Sequence, residues 1–568
     1  MQKRWIYNPP DQRDISRLRE ELNLQPALLE ILLKRGIHDL ESARSFFRPN
    51  PLSINSPWLM KDMKKAVVRI EKALSMNENI LIYGDYDVDG TTSVASVFSF
   101  LHKHHQQIDF YIPHRYREGY GLSQAGIDHA IKKGFNLIIT LDCGIKSHEL
   151  IQQAKDHGID VIVCDHHLPD PTLPPAYAIL NAKQSDCPYP FKELCGCGVG
   201  YKLMTALCEH LGWPQEEADE YLDLLATAIA ADIVSMSGEN RVLTHLGLQK
   251  ANTHPNKGIQ ALARISGLNQ TLRLQNLVFM IAPRVNAAGR MDDARKAVEL
   301  FISTDESTAI ELSKALQADN DERRQADRTI TQHALRQIEA NSDWNERVST
   351  VVFHPEWHKG VVGIVASRLI EQYHRPTIVL TQSGDEASGS ARSIPGFNLY
   401  EAIYECRELL TRYGGHMAAA GMSLPIENVE AFRDKFEEAV QRTLDRNLLI
   451  PSINVDATIR LQDIHQKLFD ILRQMEPFGP DNEPPVFLLR HVTDTGYSKV
   501  VKEDHLRFVI KQDDHRISGI GFGLAKKSDL LLNGQPIDLV CHIEENEYQG
   551  KVSLQIRVLD IRPAEPQG

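Results

Sequence analysis

Residues 84–90 read Gly-Asp-Tyr-Asp-Val-Asp-Gly, which sets Asp85, Asp87 and Asp89 at alternate positions between two glycines. Acids this close repel one another unless a cation holds them, and the glycines permit a tight turn around it. An EF-hand calcium loop would need flanking helices and a glutamate at its twelfth position; counted from Asp85 that residue is Ser96, and a strand-like run precedes the loop. Two more apolar runs end in acids: Leu141 leads into Asp142-Cys143-Gly144, and Cys164 into Asp165-His166-His167. One aspartate after a strand is commonly a helix N-cap, but a series of them at consecutive strand ends asks for another reason. Asp232 closes the apolar run that includes Ala230 and Ala231, where a charge needs a partner or a metal. Carboxylates with one or two imidazoles suit Mg²⁺ or Mn²⁺. One acid shared by two ions about 3.5–4 Å apart would activate water against a phosphorus centre, and a remaining histidine would position or protonate a phosphate oxygen. The chemistry indicated is metal-assisted hydrolysis of a phosphoester.

These residues need elements that end at one edge. Between 79 and 181 short β-branched runs (80–83, 108–112, 137–141, 161–164 and 177–180) alternate with amphipathic stretches such as 91–105 and 147–157. That alternation predicts an α/β fold with a doubly wound, mostly parallel sheet, whose ligands gather at the carboxyl ends of the strands. Helices dominate from 200 to about 340. They close on a polar segment from Ala309 to Ile338 that has apolar residues at wide helical spacing and no Gly or Pro, which predicts a connecting helix. A second, smaller α/β unit follows, with strands at 348–353 and 377–380 and helices at 361–373, 398–410 and 429–444. After Pro451 short alternating runs predict an OB-like antiparallel β-barrel. The expected domains are 1–308, a connecting helix at 309–340, 341–450 and 451–568.

The chain has 568 residues, with 63 basic and 76 acidic side chains and a net charge of −13. This argues against a surface coated with positive charge, although a local basic channel can coexist with it. Eight cysteines are too few for a disulfide scaffold, no run reaches the roughly 18 apolar residues of a membrane helix, and the first residues do not form a secretory signal. A cytoplasmic protein is expected. In the stretch 114–121, Arg115 and Tyr116 mix cation and aromatic in a way that suits backbone tracking and stacking of a single nucleic-acid strand; an unpartnered surface loop is the alternative. Arg284 and Arg290 flank Asn286 in the segment 283–291. They could clamp successive phosphates, or one could pair with Asp292 or Asp293 and hold a helix. Cys195-Gly196-Cys197 lacks the spacing of a zinc site and reads better as small residues entering an apolar helix.

Together the motifs Asp87-x-Asp89, Asp142 and Asp165-His166-His167 resemble those of the DHH phosphoesterase family, and Gly414-Gly415-His416-Met417-Ala418-Ala419-Ala420-Gly421 resembles the glycine-rich motif of their companion DHHA1 domain. With the 84–90 loop, the 283–291 segment and a C-terminal barrel, the resemblance spans nearly the whole chain. It points to the branch of that family that degrades single-stranded DNA from the 5′ end in repair and recombination. The resemblance implies two divalent ions, Mn²⁺ or Mg²⁺, held by Asp87, Asp89, Asp142, His166 and Asp232, with Asp142 bridging. It places His167 at the scissile phosphate, with Asp142 and Asp165 in the same catalytic set, and Asp85 beside the ions rather than on them. His416 with the amides of Gly414 and Gly415 would grip a phosphate across the cleft, and Arg392 would be a further phosphate contact. Single-stranded DNA, a single-strand-binding protein and a RecQ-type helicase are the implied partners of a monomer that does not touch membrane. One alternative is a family phosphodiesterase for short oligoribonucleotides or cyclic dinucleotides, whose members are shorter and lack the barrel. Another is a non-catalytic replication scaffold, whose members lose metal ligands, whereas none is lost here. A dinucleotide-binding oxidoreductase would want Gly-x-Gly-x-x-Gly where the acidic loop stands.

Overall fold

The computed structural model describes residues 3–548 and 550–565. The chain divides into two compact units, one of residues 54–234 and 238–451 and one of residues 1–53, 235–237 and 452–568.

In the first unit five strands form a fully parallel sheet: β1 (Ile80–Gly84), β2 (Ile108–Tyr111), β3 (Leu137–Leu141), β4 (Asp160–Cys164) and β5 (Ala178–Leu180). The order across the sheet is β2-β1-β3-β4-β5. The chain winds one way from β1 to β2 and the other way from β3 onward, so the direction reverses between β1 and β3. In open parallel sheets that reversal leaves a crevice at the strands' carboxyl ends. β1 and β3 are buried at every position, as strands covered by helices on both faces must be. Helices α2 (Gly196–Leu211) and α3 (Leu222–Asp232) pack against α1 (Val88–His102), which follows β1 directly. Asp87 caps α1, its Oδ1 accepting from the Gly90 amide at 3.0 Å.

The segment 283–291 lies in helix α4 (Ala282–Met291), which packs on a 34-residue helix, α5 (Glu306–Glu339). The buried stripe of α5 (Ala309, Ser313, Leu316, Asn320, Asp327, Ile330, Ala334, Ile338) recurs every three to seven residues, and the rest of the helix is solvated. Its last turns join Trp344, Trp357, Val362, Val365 and Leu369 in the core of a second sheet. That sheet contains β6 (Thr350–His354), β7 (Thr377–Ser383), β8 (Glu386–Arg392), β9 (Arg412–Gly415) and β10 (Ala419–Pro425), in the order β9-β10-β8-β7-β6. Only β6 and β7 are parallel. Helix α6 (Val362–Tyr373) covers β7 and β8. The glycine-rich stretch at 414–421 is a β-hairpin.

The second unit holds a seven-stranded sheet. Strand Phe487–Asp494 pairs with both Ile537–Tyr548 and His505–Gln512, which closes the sheet into a barrel. Residues 3–53, expected within the span 1–308, pack here instead. Strand Arg4–Tyr7 runs parallel to Ser452–Val455, and Ile15, Leu18, Leu28, Ile31 and Leu32 share one core with Phe487, Leu489, Phe508 and Leu539 of the barrel. The physical reason is that the apolar faces of these N-terminal helices are covered by the barrel's side chains, a long-range pairing that local periodicity does not specify.

Candidate active site

The ends of β1, β3 and β4 deliver Asp85, Asp87, Asp89, Asp142, Asp165 and His166 to one place at the reversal point of the sheet, and the end of α3 adds Asp232. Three groups of ligand atoms lie within 4.8 Å of one another: Asp85, Asp87 and Asp142; Asp89, His166 and Asp232; and Asp142, His166 and His167. Asp142 and His166 therefore connect the groups. His166 Nε2 is 3.1 Å from Asp142 Oδ1, 3.5 Å from Asp232 Oδ2 and 3.8 Å from Asp89 Oδ2. None of these approaches is aligned as a hydrogen bond: Asp85 Oδ2, Asp142 Oδ1, both ring nitrogens of His166 and Asp232 Oδ2 are buried without a hydrogen-bond partner. Leaving such atoms unsatisfied costs about 1–3 kcal/mol each. Oxygen and imidazole donors converging with their lone pairs free are what a pair of divalent cations would satisfy.

The electrostatics point the same way. Burial and then the Asp87 charge hold the Asp85 carboxyl well above the usual range, and burial followed by the Asp89 charge does the same to Asp142. Asp89 is pushed up to about 6 by burial and by Asp87, and Asp232 to about 9 by burial, Asp89 and Asp87. Burial, then the neighbouring His167, pushes His166 down to about 3, so its imidazole is neutral and its nitrogens free to ligate. Without cations these acids are an unfavourable assembly.

Asp89 is held by the amides of Gly196 and Cys197 at the start of α2, at 2.6 and 2.8 Å. A side chain at Gly196 would meet Asp142 Cβ at 2.5 Å, so only glycine lets this helix end approach the cluster. The Cys195 Sγ caps the same helix by accepting from the Gly198 amide, which explains the small-residue run without zinc.

Asp165 serves a different purpose. Its Oδ2 accepts from the Ile145 amide at 2.9 Å, and its Oδ1 accepts from the His166 and His167 amides and faces His167 Nδ1 at 2.8 Å. Burial opposes its ionisation, but the His167 hydrogen bond and charge outweigh that and hold it at about 2. His167 is correspondingly raised: burial works against its charge, and Asp165 prevails. The Tyr120 hydroxyl donates to the Asp142 carbonyl at 3.0 Å and lies 3.1 Å from the His167 ring.

Tyr120 and Tyr86 also line a cavity of about 300 Å³ between the two sheets, together with Arg115, Tyr116, Arg290, Lys359, Ser390 and Arg392. Among the described residues, four cations and no carboxylate line it. The Arg115 guanidinium lies over the Tyr86 ring, 4.7 Å from its centroid. Arg290 donates to the Gly360 carbonyl, and burial, then Arg115, pushes its guanidinium down to about 10. Arg392 donates to Ser390 Oγ at 2.8 Å; burial and then Arg115 lower it too. A cation set that raises the cost of its own charge is a ready anion site.

The other expected contacts are placed differently. Tyr116 gives its hydroxyl to the Arg290 carbonyl at 2.5 Å, so in this cavity it buttresses Arg290. Arg284 is turned to the long helix, its Nε donating to Gln317 at 2.7 Å, and neither Arg284 nor Asn286 lines the cavity. Asp292 takes Lys296 as its partner rather than either arginine. His416 is exposed at the tip of the β9–β10 hairpin, where Gly415 (φ +147°) could carry no side chain, since a Cβ would meet the Ala419 carbonyl at 2.4 Å. Asp85 stands with Asp87 and Asp142 in one of the three groups whose atoms could share an ion. Sequence reasoning passed over Tyr120, Lys359, Ser390 and the Gly196 amide. It also passed over Glu118, which accepts from Tyr111, His114 and Ser123 and folds the loop that carries Arg115 and Tyr120. Tyr120 and Glu118 lay within the stretch 114–121 already singled out, Gly196 lay in the small-residue run at 195–197, and Ser390 stands two residues before Arg392.

Family models match three parts of the chain: the N-terminal domain of the DHH family over residues 79–229, the DHHA1 domain over 345–442 and the RecJ OB domain over 455–560. The single-stranded-DNA-specific exonuclease RecJ of Bacillus subtilis is 37% identical over 566 residues, covering 99% of this chain and 71% of the relative. That of Escherichia coli is 34% identical, covering 95% and 96%. Among solved structures, RecJ from Thermus thermophilus in complex with Mn²⁺ superposes with a TM-score of 0.84 at 27% identity, over 99% of this chain and 80% of that one. The Mg²⁺ complex gives 0.78 at 26% identity, over 100% and 79%.

Proposed function

The chain belongs to the RecJ family, and on that premise we propose that it is a metal-dependent exonuclease that removes nucleotides from the 5′ end of single-stranded DNA. The observation that carries the reading is the set of buried, unsatisfied carboxylate and imidazole atoms directly beside a cavity whose described lining has four cations and no acid. Asp87, Asp89, Asp142, His166 and Asp232 would hold two divalent ions, Mn²⁺ or Mg²⁺, with Asp142 shared and Asp85 contributing from the Asp87 side. Ions so held would acidify a coordinated water and neutralise charge on the phosphate. His167, whose charged form Asp165 favours, would hydrogen-bond a non-bridging oxygen of the scissile phosphate. Arg115, Arg290, Lys359 and Arg392 would take the strand's terminal phosphate, which fixes the scissile bond one nucleotide away over the carboxylates. His416 would meet the strand from the hairpin across the cleft.

Among the described residues no helix is long and apolar enough to cross a membrane. The proposal includes a cytoplasmic monomer acting in DNA repair and recombination alongside a single-strand-binding protein and a RecQ-type helicase. The test is cleavage of single-stranded DNA labelled at either end, with Mn²⁺, Mg²⁺ or chelator. Metal-dependent release of mononucleotides from the 5′ label first is expected. Release from the 3′ label first would reverse the polarity, and cleavage confined to dinucleotides or short RNA would move the substrate.

A further inference from the structure

Helix α3 ends at Asp232, and the chain turns at Ile233 with φ +60° and ψ +30°. A left-handed backbone crowds Cβ against the following carbonyl. A β-branched residue suffers most from this, and Gly or Asn usually takes such a position. Ile233 is also 72% exposed, so its apolar side chain stands in water. Backbone strain and apolar exposure together at one residue are unfavourable twice over, and Asn would remove both. Strain kept in this way clusters at functional sites. Asp232 Oδ2 lies 3.5 Å from His166 Nε2, so Ile233 leaves the carboxylate cluster one residue from its ligand atoms. Leu168, directly after His167, is 65% exposed in the same manner. Two residues that directly follow cluster residues, Ile233 after Asp232 and Leu168 after His167, thus hold largely exposed apolar side chains beside a site otherwise built of charge.

We propose that Ile233, together with Leu168, is an apolar rest for the base and sugar of the nucleotide at the cut, and so a determinant of single-strand preference. Every unpaired base offers an apolar face to such a contact, whereas a duplex keeps its faces stacked inside. The inference rests on the reading of the chain as a single-strand exonuclease.

The experiment compares wild type with Ile233→Asn, Ile233→Ala and Ile233→Leu in thermal unfolding and in steady-state cleavage of two strands, one intact and one abasic at its first three nucleotides. Ile233→Asn is expected to raise the unfolding midpoint by about 2 °C while raising KM for the intact strand about fivefold. Ile233→Ala relieves only the β-branched part of the strain and should raise KM with a smaller thermal gain than Ile233→Asn, and Ile233→Leu should keep the wild-type KM. Wild type should lose about fivefold on the abasic strand, and Ile233→Asn should lose little more there. The proposal is overturned if KM is unchanged in the Asn and Ala variants, if the Asn variant unfolds at a lower temperature, or if it loses the full factor again on the abasic strand. A wild-type chain that cuts neither strand would instead remove the activity on which the proposal stands.

Discussion

At the scale of single residues, the cluster opposes stability and serves chemistry. Asp142 is buried among Asp89, Asp87, Asp232 and Asp85, and all four of their charges push its carboxyl up. Replacing it with asparagine keeps the shape and removes a charge. Asp142→Asn should therefore raise the unfolding midpoint of the chelated protein, shrink the further rise that Mn²⁺ gives the wild type, and lower cleavage by about a thousandfold or more. Differential scanning calorimetry with and without chelator, read beside the cleavage assay, checks all three. An unchanged or lowered chelated midpoint would deny the repulsion. These acids were legible in the sequence because each follows a β-branched run, and strands of a parallel sheet place such ends together. The place of Asp85 beside the ions was an expectation of the family resemblance alone; the path of the 84–90 turn groups its carboxylate with those of Asp87 and Asp142. The Gly196 amide was illegible for a simpler reason: a backbone donor leaves no trace in residue type.

At the scale of elements, an ion pair ties α5 to α6, in which the Arg368 guanidinium grips Asp327 through two nitrogens at 2.7–2.9 Å. The Asp327 side chain is 1% exposed and that of Arg368 is 49% exposed. Removing the arginine strands a buried carboxylate, whereas removing the acid leaves a cation that water can reach. Arg368→Ala should thus cost about 3 kcal/mol and Asp327→Ala about 1 kcal/mol, measured by denaturant unfolding; the reverse order would contradict the argument. Within the barrel strand Ile537–Tyr548, His542 donates from Nδ1 to the Pro485 carbonyl, and burial pushes its imidazole down to about 4. A histidine whose folded pKa lies below its unfolded value near 6.5 contributes stability above pH 6.5 and loses it as pH falls toward 4. Amide exchange of the barrel should therefore quicken across that window, and His542→Gln should flatten the dependence. The long helix was legible from its spacing and its freedom from Gly and Pro. The glycine-rich hairpin was less so, because Gly and Ala fit a turn and a strand alike.

At the scale of the whole molecule, the chain returns its first residues to its last domain. Trp5 donates to Asp560 at 2.9 Å, Lys3 to the Leu559 carbonyl at 3.2 Å, and the helices at 12–34 fill part of the barrel's core. A chain that begins at residue 54 should keep metal-dependent fluorescence changes at the carboxylate cluster but show a barrel with little amide-exchange protection; a fully protected barrel would show that the N-terminal segment is dispensable. This partnership was hidden in the sequence because amphipathic helices announce that they need a cover and say nothing about which distant strand supplies it. The sheet order was legible in kind, as alternating strands and helices, and its reversal between β1 and β3 makes one crevice of three strand ends. The central claim is that this crevice is a two-ion hydrolytic centre. Its most direct test is a Mn²⁺ titration of the chelator-treated protein followed by calorimetry, with single-turnover cleavage of single-stranded DNA measured in the same samples. The account predicts two bound equivalents, cleavage rising with the second, and loss of at least one equivalent in Asp142→Asn. Cleavage at full rate with no bound metal, or full stoichiometry and activity in Asp142→Asn, would contradict it.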